Sequence, residues 1–294
     1  MFRRSSMALV VVLLALVLAA CGSSGASSTP SPASTQAAPP APHRIVSLSP
    51  PATESLFAIG AGEQVVAADD QSNYPAEAPH TKLSSYQPNV EAIAAYNPDL
   101  VVMSYDPSDV VAGLKKLHIP VLMQEAPTDL DGAYEQIEAL GQTTGHAAEA
   151  QDVVADMQSR IGAIAEGKPG SGLSVFHEIS PDFYSATSKT FIGSVYTLLG
   201  AKNIADAAGG KAPDYPQLSA EYVVDSDPDV IVLSDTKCCG QSPKTVRSRP
   251  GWNNLTAVKG GDVVPVDDDI ASRWGPRMVD FVEVVAQALE QAGA

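Results

Sequence analysis

The chain of 294 residues carries 34 Asp and Glu against 18 Lys and Arg, a formal net charge of −16. That balance excludes the basic face on which nucleic-acid binders rely, and it suits a soluble body that meets a basic partner. Residues 43–294 are enough for one large domain or two modest ones.

The stretch "MFRRSSMALVVVLLALVLAAC" opens with two arginines, runs through apolar and small residues from Met7 to Ala20, and reaches Cys21. A cationic start and a short apolar core describe a secretory signal over residues 1–20. The run is shorter than the roughly 20 apolar residues of a bilayer span. "LAAC" at Leu18–Cys21 resembles the lipobox of bacterial lipoproteins, which implies cleavage before Cys21 and lipidation of it. Residues 21–42 continue with Gly, Ala, Ser, Thr, Pro and Gln and no large apolar residue. They read as a disordered tether, because such a composition cannot bury a core.

From Arg44 onward, short Val/Ile runs alternate with helical patterns. Strands are expected at Arg44–Leu48, Val65–Asp69, Asp99–Ser104 and Pro120–Gln124, with helices at Thr53–Ile59, Val90–Tyr96 and Ser108–Leu117. Leu130, Tyr134, Ile137 and Leu140 mark a further helix. Ala150, Val153, Val154, Met157, Ile161 and Ile164 mark a longer one. "TTG" separates the two and "GKPGSG" ends the second. Strands then recur at Leu173–Glu178, near Asn203–Ile204, and at Asp229–Ser234 and Asp262–Val266. The helices among and after them are Ile192–Leu199, Ala220–Asp225 and Arg277–Gln291. The fold class is α/β: two Rossmann-like lobes with parallel sheets, an N-terminal lobe at 43–142 and a C-terminal lobe at 169–294, bridged by one long α-helix at 143–168.

One segment occurs twice. "VEAIAAYNPDLVVMS" from Val90 aligns without a gap on "AEYVVDSDPDVIVLS" from Ala220, with Glu91 on Glu221, Pro98 on Pro228, Asp99 on Asp229 and Ser104 on Ser234. Each copy has a capping residue, Asn89 or Ser219, then a helix that stops before proline, then an apolar strand. The match implies a duplicated lobe.

Five stretches carry a family resemblance: "RIVSLSPPATESLFAIGAGEQVVAADDQSNYP", "NVEAIAAYNPDLVV", "FIGSVYTLLGAKNIAD", "QLSAEYVVDSDPDVIVLSD" and "ASRWGPR". In this order and after a lipobox, they resemble the substrate-binding lipoproteins of ABC importers for cobalamin, iron-siderophores and haem. The cobalamin branch is nearest, by "LSPPATESLFAIGAG" followed by "NYP". The resemblance implies a class III binding protein that captures cobalamin or a related corrinoid between its lobes. Ferric siderophore or haem is the alternative. It implies a permease dimer with its ATPase as partner, a lipid anchor on Cys21 at the outer face of the cytoplasmic membrane, a monomer, and neither a resident cofactor nor a metal.

By the same resemblance the ligand-binding residues are Pro50, Tyr74, Tyr86, Phe183, Tyr215, Arg273 and Trp274, with His177 where a cobalamin binder carries an aromatic. Tyr105 is added because it follows a strand's end, where open α/β sheets take ligands. A corrinoid needs aromatic platforms and a few polar groups. The tyrosines sit among Pro, Asn, Ser and Asp, as loop residues do. Against these assignments stand plainer ones: His177 as a satisfied polar residue at a strand end, and Arg273 as a partner of one of Asp267–Asp269. Glu91 and Glu221 each occupy the second helical position, where an acid is favoured by the helix dipole. In the family one glutamate per lobe docks on permease arginines.

The rival class is a secreted hydrolase or metalloenzyme. No GxSxG, HExxH or CxxC motif is present, and the five histidines are scattered. Cys238 and Cys239 are adjacent. Neighbouring Cα atoms lie about 3.8 Å apart, below the usual disulfide range. Plain thiols and a loop-shaping disulfide both stay open.

Overall fold

The computed structural model describes residues 41–208 and 213–294. The expected signal, Cys21 and nearly all of the tether lie outside them.

The first sheet has the order β2-β1-β3-β4, from β1 Ile45–Leu48, β2 Val65–Ala68, β3 Leu100–Met103 and β4 Val121–Met123. The second has the order β6-β5-β7-β8, from β5 Ser174–Glu178, β6 Lys202–Asn203, β7 Val230–Leu233 and β8 Val263–Pro265. Every pairing is parallel, and Ile45 faces Leu100 as Val175 faces Val230. The duplication read from one segment therefore holds in sheet order and in register. The central strands are buried on both faces, which is why they read as unbroken apolar runs rather than as alternation.

The helices start where their caps lie. In α1 (Pro50–Ala58), Ser49 accepts from the Ala52 amide and two prolines open the helix. Proline lacks only an N–H that has no helical partner there, so α1 begins before the expected Thr53. In α2 (Val90–Ala94), Asn89 accepts from Ala92 N. It ends short of the expected Tyr96, and Asn97 turns at φ +48°. Positive φ at Ser108 and Asp109 delays α3 to Val110–Lys116. α4 (Leu130–Thr144) ends on Gly145 at φ +83°, and α5 (Ala147–Ala165) follows. The bridging helix thus has 19 residues, spans about 28 Å, and starts later than 143 because that glycine turn separates it from α4.

In the second lobe α6 is Phe191–Leu198, and α7 is Ala220–Ser226 with Ser219 accepting from Tyr222 N. Four short helices were not anticipated: α8 (Thr236–Cys239), α9 (Pro243–Arg247), α10 (Thr256–Gly260) and α11 (Asp268–Ser272). At four or five residues each, they are too short to carry a readable helical period. α12 (Met278–Ala292) closes the chain.

The described residues form one compact unit. A single apolar cluster runs from Leu56, Ile59 and Val102 in the first lobe, through Tyr134, Ile137, Val154, Met157 and Ile161 of α4 and α5, to Val232, Phe281 and Val285 in the second. Relative motion of the lobes would expose part of it, at roughly 25 cal/mol for each Å².

Candidate ligand-binding site

The carboxyl ends of β1, β2 and β3 lead to one side of a cavity of about 280 Å³. Leu48 and Pro50 come from the end of β1 and the start of α1, Gln71 from beyond β2, and Ser104 and Tyr105 from beyond β3. Ser85 and Tyr86 join from the loop before α2. The far wall is Asp269, Ser272, Arg273 and Trp274, from α11 and the turn after it. The cavity therefore lies between the lobes. It gathers Pro50, Tyr86, Tyr105, Arg273 and Trp274 from the expected set.

Tyr86 is 69% exposed and Tyr105 39%, and their ring centroids are 6.3 Å apart at 51°. Two large aromatic rings left open side by side form an apolar platform. Burial, then Tyr86 and Asp69, push the Tyr105 phenol above its ordinary value, so it stays a neutral hydroxyl. Hydroxyl groups tie the strand ends together: Ser104 Oγ donates to Ser49 Oγ at 2.6 Å, and Thr53 Oγ1 donates to Ser47 Oγ at 2.8 Å.

Arg273 is buried and held by the protein itself. Its Nη1 donates to Glu54 Oε1 at 3.1 Å and Asn73 Oδ1 at 2.8 Å; its Nη2 donates to the Gln71 carbonyl at 2.9 Å and Asp269 Oδ1 at 2.7 Å. Arg277 also reaches Glu54, at 2.9 and 2.5 Å. Asn73 Nδ2 donates to Asp269 Oδ2 at 3.0 Å. Two cations and two carboxylates thus form a balanced latch between the lobes. Arg273 has the Asp269 partner that the plainer of its two expectations gave it, and both of its Nη groups are engaged within the protein. Burial works against the Asp269 charge. Asn73, Lys237 and Arg273 outweigh it and hold that carboxyl below the usual range. Trp274 is anchored by Nε1 donating to Gln136 Oε1 at 2.9 Å.

Four expected ligand residues lie away from this cavity. Tyr74 lines a separate cavity of about 700 Å³ with Phe57, Arg160 and Arg277, and the Arg277 guanidinium sits 4.1 Å over its ring. Phe183 stacks on Trp252 at 5.5 Å and lines a groove with Glu221 and Arg249. Tyr215 is half exposed, on a segment whose Asp214 and Pro216 carbonyls accept from Thr187 N and Ser185 N. His177 is corrected outright. It is 0% exposed, with Nδ1 2.6 Å from Tyr196 Oη, Nε2 2.9 Å from Ser234 Oγ and its ring edge-on to Phe281. Burial pushes its imidazole down to about 3. It is a neutral core residue, because β5 carries it between Tyr196 of α6 and Phe281 of α12 rather than at the open end.

Glu91 and Glu221 are exposed at the second position of α2 and α7. Cys238 and Cys239 are joined by a disulfide at the end of α8. Asp267, Asp268 and Asp269 are engaged by Lys237, the Thr236 hydroxyl and Arg273. The sequence reading missed Glu54, Gln71, Asn73, Ser85, Ser104 and Ser272. An acid between the apolar positions of α1 was the one signal for Glu54. Among the described residues no helix is long and apolar enough to cross a membrane.

The family model described as periplasmic binding protein matches residues 45–270. A Bacillus subtilis (strain 168) relative, the uncharacterized ABC transporter substrate-binding lipoprotein YvrC, is 33% identical over 260 residues, covering 84% of this chain and 80% of its own. The cobalamin-binding protein of Halobacterium salinarum is 32% identical over 257 residues, covering 84% of this chain and 69% of its own. The crystal structure of the periplasmic vitamin B12 binding protein BtuF of Vibrio cholerae superposes with a TM-score of 0.72 at 27% identity. It covers 86% of this chain and 98% of that one.

Proposed function

The chain belongs to the periplasmic binding protein family, and on that premise we propose that it captures cobalamin or a related corrinoid between its lobes for an ABC importer. The observation that carries this reading is the open Tyr86–Tyr105 pair in the cavity at the strand ends. A corrinoid presents a flat apolar face and an amide-bearing rim. The two rings take the face. Pro50 and Trp274 complete the apolar wall. The Tyr105 hydroxyl and the Gln71 and Ser85 side chains meet rim amides. Relatives at about one-third identity whose names include cobalamin support the choice of ligand.

The latch shapes the ligand preference. An anionic siderophore needs unpaired cationic donors, whereas the Arg273 and Arg277 guanidiniums are tied to Glu54 and Asp269. A neutral rim does not need them. The cavity is slightly smaller than the roughly 300–1,000 Å³ usual for ligand sites. A macrocycle therefore rests partly above it, on the exposed Tyr86, and the lobes close little.

Delivery uses Glu91 and Glu221, one per lobe at matching helix starts, offered to basic residues of the permease dimer. Cys21 carries the lipid that keeps the body at the membrane's outer face. The test is a titration of the purified body with cyanocobalamin, hemin and a ferric siderophore, following intrinsic fluorescence. Submicromolar cyanocobalamin binding with the other two weaker is expected. Preference for hemin or the siderophore moves the ligand to the alternative class, and no binding by any of the three rejects the ligand reading.

A further inference from the structure

The Cys238–Cys239 pair stands outside the residues that line the cavity. Both residues are exposed and bonded to each other. They end α8, which leaves the carboxyl end of β7 as the segment with Tyr105 leaves β3. Strand carboxyl ends are where open α/β sheets take ligands.

α8 is held firmly for so short a helix. Asp268 Oδ1 accepts from Thr236 N and Thr236 Oγ1, each at 2.8 Å. Its Oδ2 accepts from Lys237 N at 3.0 Å and Cys238 N at 2.9 Å. Gly240, at φ +68°, closes the helix by donating to the Thr236 carbonyl. Asp268 belongs to α11, whose Asp269 and Ser272 line the cavity. Lys237 reaches the same wall, 2.7 Å from Asp267 and 2.9 Å from Asp269. The disulfide thus rides on the scaffold that forms the second lobe's side of the ligand cavity.

Its chemistry suits a flat ligand. Joined sulfurs have no S–H left to donate. Two sulfurs and two methylenes make a firm, polarisable, apolar knob, and sulfur at the edge of a π-system is favourable. Disulfides persist in an extracytoplasmic compartment.

We propose that the Cys238–Cys239 disulfide is a ligand contact, a sulfur-faced platform on the second lobe that takes the edge of a flat macrocycle whose face lies on Tyr86 and Tyr105. It rests on the macrocycle reading given above, and adds to it a binding element that the sequence reading left open.

The test uses the full purified chain. Peptide mapping after alkylation should find Cys238 and Cys239 unmodified. Cyanocobalamin and hemin are titrated against the wild type, the C238S/C239S and C238A/C239A variants, and the wild type after reduction. Loss of one sulfur–π contact corresponds to about a 2- to 12-fold weaker Kd. That weakening is expected in the serine variant and in the reduced wild type, with recovery on reoxidation and an unchanged Tm. Wild-type affinity in both folded double variants overturns the proposal, as does alkylation of both cysteines in the untreated protein. If the wild type binds neither probe, the macrocycle reading fails first and the platform falls with it.

Discussion

Asp99 and Asp229 do the same work 130 residues apart. Asp99 Oδ1 accepts from the Arg44 amide at 2.9 Å, and Asp229 Oδ2 accepts from the Ser174 amide at 2.8 Å. The donors are also 130 residues apart, and each immediately precedes or begins the first strand of its sheet. Each aspartate's own N–H returns a bond to the same donor residue's carbonyl, at 3.0 Å in both lobes. The shared "PD" is thus a clasp between the first and third strands.

Removing a clasp should cost about 1–3 kcal/mol, the price of an amide left without its partner. Each carboxylate accepts two bonds, Asp99 from His43 N and Arg44 N and Asp229 from Ser174 N and Ser174 Oγ, and Asp229→Ala should cost more than Asp99→Ala because its bonds lie in a less exposed place. A fall in Tm of about 2–4 °C for each kcal/mol is expected. Equal and negligible effects of both variants on thermal melts would reject the clasp.

The latch makes a sharper prediction. Glu54→Gln removes the carboxylate that Arg273 and Arg277 share and leaves the buried Arg273 with Asp269 as its remaining ion pair. Breaking a buried pair costs about 3–5 kcal/mol. Urea denaturation of this variant should show that loss. A loss below 1 kcal/mol would mean the latch is not a stability element.

His177 and Asp235 oppose each other in pH. Burial depresses the His177 pKa, so its contribution is complete above about 6.5 and is lost as pH falls toward about 3. Burial, then Glu178, raises Asp235 to about 7, so its contribution is complete below about 3.9 and is lost as pH rises through 7. Between about pH 4 and 6.5 the two slopes cancel. Asp235→Asn should leave stability rising with pH, and His177→Gln should leave it falling, each by about 1.4 kcal/mol per pH unit. Stability measured from pH 4.5 to 6.5 checks this; parallel profiles for the two variants would refute it.

Ligand binding should depend on the open rings and not on the buried one. Tyr86→Ala and Tyr105→Ala should each weaken corrinoid binding by about 0.5–1.5 kcal/mol beyond lost area. His177→Phe should change stability with little effect on Kd. Fluorescence titration of the three variants decides this, and a larger loss for His177→Phe than for Tyr86→Ala would contradict it.

Reversing both docking charges, Glu91→Lys with Glu221→Lys, should leave Kd unchanged and abolish uptake by cells. Normal uptake in the double variant would remove the docking role.

Much of the fold was legible because it rests on local chemistry. Asn89 and Ser219 announced their helices, the prolines announced the ends, and the apolar runs announced buried parallel strands. The site was legible only where it is local. Tyr86 and Tyr105 stood out among loop residues, but nothing near Arg273 marks Glu54 or Asn73 as its partners, 219 and 200 residues away. His177 misled because the resemblance matched its place in the chain and not its surroundings. Tyr196 and Phe281, which decide the matter, arrive from other helices.

The shared core also makes each half depend on the other. The two lobes repeat one plan, yet the apolar cluster that stabilises them runs unbroken from Leu56 to Leu289. A chain with one lobe alone would leave such a face to water. Separated lobes would therefore be driven back together through that face.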